Sequence, residues 1–146
     1  MRKERWQKLI EEMQAHDLTG LALVPGPNLF YMTGLRMGLS ERPTLCVVSA
    51  DGNVTFLMPQ LEAKKGAVIS EALAEDGVRL NFDVVPFTDE EGPAGAYAKV
   101  FGSKASGKWA LEYRNMRLLE FSLVRNVLGQ FAWNDAGEIL KKLRMI

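Results

Sequence analysis

The sequence predicts an α/β domain in which helices flank a mixed β-sheet. Three observations carry this. Apolar residues at helical spacing bracket the chain: Trp6, Leu9, Ile10 and Met13 near its start, and Ile139, Leu140, Leu143 and Ile146 at its end. Between them, short apolar runs bounded by Gly or Pro recur at strand length. Two of these runs are separated by Ala50-Asp-Gly-Asn53, a strong hairpin signal because glycine takes the positive φ that such turns demand. At 146 residues, the chain has one domain's worth of core and needs neither disulfide nor structural metal to fold.

Taken in order, the first helix runs from Arg2 to Ala15, with Arg, Lys and Glu opposite its apolar face. Gly20 opens the run Leu21-Ala-Leu-Val24, a buried strand ended by Pro25. Phe30-Tyr-Met-Thr33 has the β propensity of a second short strand, closed by Gly34. Leu35 to Arg42 shows no period and reads as a loop. Residues 44–49 and 54–58 are the arms of the hairpin, and Pro59 breaks the second. Leu61, Lys65, Val68, Ile69 and Ala72 predict a helix face ending at Gly77. A strand follows over 82–87, then a polar stretch from Asp89 to Pro93, then a helix carrying Tyr97, Val100 and Phe101. Residues 102–107 form a polar turn, and 109–113 a further strand. Asn115 is the expected N-cap of a helix with Met116, Leu119, Leu123, Val124, Val127 and Leu128 on one face and Gly129 at its end. Asp135 and Glu138, three apart, predict a capping-box start for the last helix.

Several chemistries are argued against. Lys plus Arg equals Asp plus Glu, 18 each, so no net field draws nucleic acid or an anionic membrane. No segment reaches the ~18 apolar residues of a membrane span. The amphipathic N-terminus lacks the apolar centre of a secretory signal, so a cytoplasmic location is expected. A single histidine rules out a His-rich metal site, and no D-x-D-x-D loop is present. Glu11, Glu12, Asp83 and the 89–91 acidic group read as solvated charges. His16, at the end of the first helix, reads as a partner of its last carbonyls. Cys46 lies in an apolar run away from any base and reads as a buried hydrophobe. No G-x-S-x-G elbow and no G-x-x-x-x-G-K-[ST] loop occurs. After the first strand, Pro25 and Pro27 bracket Gly26 and remove amides a phosphate would need.

The remaining pattern is an ordered set. His16-Asp-Leu-Thr-Gly-Leu-Ala-Leu-Val24 turns into the first strand, and Pro27-Asn-Leu-Phe-Tyr-Met-Thr-Gly34 follows it. Arg42-Pro43 precedes a hydrophobic strand, Asp51-Gly52 marks the hairpin, and Leu57-Met-Pro-Gln-Leu-Glu62 steps from strand to helix. Trp109-Ala-Leu-Glu112 is a late strand closed by Glu, and Lys141-Lys-Leu-Arg-Met-Ile146 ends the chain. This set resembles the N-terminal domain of the creatinase, prolidase and Xaa-Pro aminopeptidase family, over essentially the whole chain. The resemblance implies a ribonuclease H-like fold, a three-layer arrangement of mixed sheet and flanking helices. It also implies that residues 1–146 are a fragment lacking a C-terminal "pita-bread" catalytic domain. In peptidase members that second domain holds two divalent metal ions (Mn, Co or Zn) on two Asp, one His and two Glu, and removes residues adjacent to proline. None of those ligands can be placed on this sequence. Creatinase members act without metal, and peptidase-like domains of a histone chaperone keep the architecture without the activity. The final apolar face, with no stop signal after it, agrees with a chain that continues.

The resemblance thus implies a non-catalytic domain that packs on its own C-terminal catalytic domain, contributes to a homodimer, and walls an active-site entrance for a proline-containing peptide. No residue of the chain is expected to be catalytic and none to bind metal or cofactor. Four are candidates for substrate contact: Asn28 as a turn-holding amide, Tyr31 as a ring with a polar tip, and Arg36 and Arg42 as guanidinium groups able to meet a carboxylate bidentately. Two other readings stand beside this one: a stand-alone module binding a peptide or small ligand, and the interaction domain of a peptidase-like non-enzyme.

Overall fold

A computed structural model describes residues 2–104 and 107–145. In chain order the elements are α1 (Arg2–Ala15), β1 (Gly20–Leu23), α2 (Pro27–Thr33), β2 (Leu45–Ser49), β3 (Asn53–Pro59), α3 (Ala63–Glu75), β4 (Asn81–Phe87), α4 (Ala94–Phe101), β5 (Lys108–Leu111), α5 (Leu118–Leu128), β6 (Ala132–Asp135) and α6 (Gly137–Arg144). Short 3₁₀ turns at Gln60–Glu62 and Gly102–Lys104 lead into α3 and out of α4.

One six-stranded sheet, ordered β4-β3-β2-β1-β5-β6, organises the molecule. The β2–β3 hairpin and the β1–β2 pair are antiparallel, while β3–β4, β1–β5 and β5–β6 are parallel. The alternation of side chains along each strand supplies two cores. Leu21, Leu23, Cys46, Val48, Phe56 and Met58 point to one face, where α1, α2, α3 and α6 cover them. Ala22, Val24, Val47, Leu57, Trp109 and Leu111 point to the other, beneath α4 and α5. The expected three-layer mixed α/β architecture is therefore present.

Four local expectations need correction. Residues 30–33 are not a strand but the body of α2. Pro27 sits in its first turn, where a fixed φ favours helix, and Gly34 closes it at φ 80° with its N–H donating to the Phe30 carbonyl. The spacing Leu29, Met32, Thr33 buries one side of that short helix, and this outweighs the β propensity of Phe, Tyr and Thr. The second correction is β6, a strand between the last two helices that the sequence does not announce. Its four residues are mostly exposed and show no alternation, so the period-2 signal is absent. Register alone makes it a strand, with Trp109 opposite Trp133 and Leu111 opposite Asp135.

Third, α3 buries a different face from the one expected. Leu61 and Val68 are exposed, whereas Gly66 and Leu73 are buried with Ile69 beside them. Gly66 faces the sheet: a Cβ there would stand 2.8 Å from Met58 Sδ and 3.2 Å from Val84 Cγ2. The helix lies too close to the sheet for a side chain at that point, so its contact face is marked by a glycine rather than a large apolar residue. Fourth, the helix caps shift. α5 starts after Arg117, whose backbone N–H donates to the Glu120 carboxylate, and Asn115 caps nothing. The α6 cap is Ala136, although Asp135 Oδ1 accepts from Gly137 N–H at 2.9 Å. Residues 105 and 106 of the expected polar turn, and Ile146 of the last apolar face, lie outside the described residues.

Candidate functional site

In open α/β sheets, ligand-handling groups gather beyond the carboxyl ends of the parallel strands. Here β1 and β5 run parallel and end side by side, at Leu23 and Leu111. The residues that follow them, Val24 and Glu112, meet across that end: Val24 N–H donates to Glu112 Oε1 at 2.7 Å. Glu112 is 3% exposed, and a carboxylate so buried must be compensated. Two amides complete the compensation, Asn28 Nδ2 at 2.9 Å and Asn115 Nδ2 at 3.1 Å, both donating to Oε2. One carboxylate thereby ties together the loop after β1, the start of α2 and the turn after β5.

The network continues toward α6. Arg144 Nη2 donates to the other end of the Asn28 amide, Oδ1, at 2.6 Å. Its guanidinium also lies 5.0 Å from the centre of the Tyr31 ring. Arg5, from α1, stacks on the same ring at 3.9 Å and donates to the Tyr31 carbonyl at 2.7 Å. The Tyr31 hydroxyl makes a long contact, 3.5 Å, to the Leu143 carbonyl. Asn28 and Tyr31, three residues apart on α2, therefore share one face and together hold the last turn of α6.

The two arginines of the same expectation lie elsewhere. Arg36 stacks on Phe30 at 4.4 Å and has no carboxylate partner among the described residues. Arg42 makes a bidentate pair with Asp89, 2.7 and 2.8 Å, and lies 4.0 Å from Glu41. That pairing raises the Arg42 pKa and holds the Asp89 carboxyl below the usual carboxylate range. The structure thus brings Asn28 and Tyr31 together and leaves Arg36 and Arg42 on the exposed loop over 35–43.

Other titratable groups settle simply. His16 Nδ1 lies 2.8 Å from the Glu12 carbonyl oxygen, the expected helix-end contact. Cys46 is fully buried, and burial pushes its thiol pKa up, away from nucleophilic use. Asp51, in the hairpin turn, is held below its ordinary pKa by the Ser49 hydroxyl and the Asn53 amide. Among the described residues no group of three or more His, Cys, Asp or Glu side chains is placed to hold a metal ion. The donor set of these residues therefore does not fit the two-metal centre that the resemblance implies for peptidase members. Likewise among the described residues, no helix is long and apolar enough to cross a membrane.

Glu112, which holds Asn28, and the two arginines Arg5 and Arg144, which hold Tyr31 and Asn28, are the part of this site that sequence reasoning left without a role. A signal for Glu112 existed: a carboxylate closing the apolar run Trp109-Ala-Leu cannot be buried without donors, and Asn115 stands three residues on. Nothing in the sequence singles out Arg5 or Arg144 among 18 cationic residues.

Comparison with known proteins places the fold. The family model described as the creatinase/prolidase N-terminal domain matches residues 5–146. The chain is 30% identical over 129 residues to the "Probable dipeptidase PepE" of Mycobacterium tuberculosis, a match covering 88% of this chain and 32% of that protein. It spans about a third of the length of the curated relatives it matches. Among solved structures, a dipeptidase from Pyrococcus horikoshii OT3 superposes with TM-score 0.76 at 29% identity, over 97% of this chain and 36% of that one. The N-terminal domain of an Xaa-Pro dipeptidase from Lactobacillus brevis superposes with TM-score 0.72 over 95% of this chain and 98% of that one, a likeness of fold at 18% identity.

Proposed function

Because the chain belongs to the creatinase/prolidase N-terminal domain family, we propose that it serves as the non-catalytic N-terminal domain of a metal-dependent dipeptidase acting on Xaa-Pro substrates. The observation that carries this reading is coverage: a model of an N-terminal domain accounts for residues 5–146, nearly the whole chain. The bond-breaking groups, two divalent ions and their carboxylate and histidine ligands, then belong to a C-terminal domain. This chain supplies the wall of the entrance to that site and a share of a homodimer contact, in the cytoplasm.

Within that role the four candidate residues divide. Arg36, exposed beside Phe30 and free of a carboxylate partner among the described residues, is the guanidinium best able to receive a substrate carboxylate. Arg42 must exchange Asp89 for a substrate to do the same. Asn28 and Tyr31 act from beneath, by fixing the base of the loop that carries the arginines.

The test is an assay of the purified chain with Xaa-Pro dipeptides and added manganese or cobalt. No hydrolysis is expected, and the parent gene is expected to continue past Ile146 into codons for two Asp, one His and two Glu as metal ligands. Turnover by the pure chain, or a continuing gene without that ligand set, overturns the reading.

A further inference from the structure

The sheet ends in β4 on one side and β6 on the other, and the two edges are finished differently. Alternate residues of a strand turn their N–H and C=O groups to opposite neighbours. On β4, Asn81 N–H donates inward to the Gly52 carbonyl, so Phe82, Val84 and Pro86 face outward. Pro86 has no N–H, and Val84 N–H is taken by Asp83 Oδ1 at 2.9 Å. That edge is blunted against further pairing. On β6, Ala136 N–H donates inward to the Leu111 carbonyl, so Trp133 and Asp135 face outward. Among the described residues no side chain caps either of their N–H groups.

A groove runs along this open edge. Phe121 and Trp133 line two hollows of about 200 and 330 Å³, and because the hollows share both rings they form one groove. Leu118, Phe121 and Arg125, at i, i+3 and i+7 of α5, are the wall that overlooks β6. Tyr113 stacks on Trp133 at 5.9 Å and 19° and closes one end. Leu118, Tyr113 and Trp133 are 84%, 66% and 38% exposed, an apolar patch of the kind that marks an interaction surface. The charged residues of the groove are Arg117 and Arg125, and no Asp or Glu among the described residues lines it. Arg117 is held by Glu120, whereas Arg125 makes no ion pair among the described residues.

We infer that β6 accepts a seventh strand from another protein, one that places an apolar side chain in the groove and carboxylates on either side of it. The main-chain groups of Trp133 and Asp135 supply the pairing, and the groove reads every second side chain of the guest. Charge selects the occupant: a guest carboxylate is attracted to Arg125 and a guest cation is repelled. A second copy of this chain fits less well, since its β6 brings one carboxylate, Asp135, which already accepts from Gly137 N–H. The surface shares no residue with Asn28, Tyr31, Arg36 or Arg42 and does not rest on the peptidase reading.

The experiment is an NMR titration of the ¹⁵N-labelled chain with acetyl-Glu-Thr-Leu-Thr-Glu-amide. When extended, this peptide presents its leucine and both glutamates on one face, in an order that suits either strand direction. An affinity on the order of millimolar is expected, because the pairing spans only a short strand. At ten times the dissociation constant, the amides of Trp133 and Asp135 should exchange with solvent about tenfold more slowly. Those of Ala132 and Asn134, already turned to β5, should keep their rates. Replacing both glutamates of the peptide by lysine should weaken binding about threefold, and replacing its leucine by serine about tenfold. Arg125→Gln should abolish the preference for the glutamate peptide over the lysine peptide, and Leu118→Ser should weaken both. Both side chains are exposed, and unchanged shifts elsewhere report an intact fold. Unaltered exchange at Trp133 and Asp135, equal affinity for the two peptides, or a preference that survives in Arg125→Gln overturns the inference. So does a chain that sediments as a dimer with these two amides protected before peptide is added, because a second copy then occupies the edge.

Discussion

Asn28 and Tyr31 differ from Arg36 and Arg42 in what surrounds them, although all four have side chains suited to substrate contact. The first pair stands on α2, where each polar group already has a protein partner: Glu112 and Arg144 for the amide, Arg5 and Arg144 for the ring. The second pair stands on a loop without regular structure, and its partners are a ring and two exposed carboxylates, Asp89 and Glu41. Residue type alone does not separate a group that holds a scaffold from a group that waits for a ligand. The separation comes from the number of donors and acceptors that the fold brings to each, and from how far burial forbids exchange of those partners for water.

The sharpest way to break this comparison is to remove the carboxylate on which the first pair depends. Glu112→Ala leaves the Val24 N–H and two asparagine amides without their acceptor at a buried position. Loss of about 3 kcal/mol is expected, because each orphaned donor keeps its desolvation cost. For a chain of this length that corresponds to a fall in Tm of roughly 8 °C. Thermal denaturation by circular dichroism checks it. A fall within about 1 °C would mean that water replaces the carboxylate freely and that the network is not a scaffold.

Much of this architecture was legible in the sequence. The amphipathic face of α1, the Asp51-Gly52 hairpin and the buried run of β1 each gave one unambiguous signal, and the structure has all three. The failures share a cause. Residues 30–33 have strand propensity but sit between a helix-starting Pro27 and a helix-ending Gly34, and end signals decide so short a segment. The contact face of α3 is centred on Gly66, which carries no hydrophobic signal. β6 exists because β5 offers a free edge, which is a property of the fold and not of residues 132–135. The site followed the same division. Asn28 and Tyr31 could be selected by residue type, but Asn28's partners Glu112 and Arg144 lie 84 and 116 residues away along the chain. Contacts of that separation leave no local pattern.

A smaller effect is expected at Tyr31, and its two substitutions sharpen what the ring does. Tyr31→Ala removes a surface on which Arg5 stacks at 3.9 Å and Arg144 at 5.0 Å. It should cost about 2 kcal/mol, from lost ring burial together with the cation–π contacts. Tyr31→Phe keeps the ring and loses only the long hydroxyl contact to Leu143, so it should lie within about 0.5 kcal/mol of the parent. Amide hydrogen exchange adds a local readout: the last turn of α6 should exchange faster in Tyr31→Ala and not in Tyr31→Phe. Equal losses in both variants would place the energy in the hydroxyl and contradict the stacking account.

The smallest effect belongs to Arg42, where both partners are exposed and the pair is open to solvent screening. Arg42→Gln should leave Tm unchanged at neutral pH, which is what distinguishes a loop group from the scaffold pair. Its consequence lies in titration instead. The guanidinium holds the Asp89 carboxyl below its ordinary pKa, so whatever the pair contributes is fully present above the ordinary carboxylate pKa near pH ~4. The contribution is lost as pH falls through the lowered value, since protonation removes the charge that Arg42 binds. An NMR titration of the Asp89 side chain should therefore show its midpoint moving up toward the ordinary value in Arg42→Gln, and up again in the parent chain as salt is added. A midpoint that is the same in both proteins would mean that the bidentate pair does not persist in solution. Arg42 would then stand with Arg36 as a guanidinium free to meet a ligand, and the exposed loop would hold two such groups instead of one.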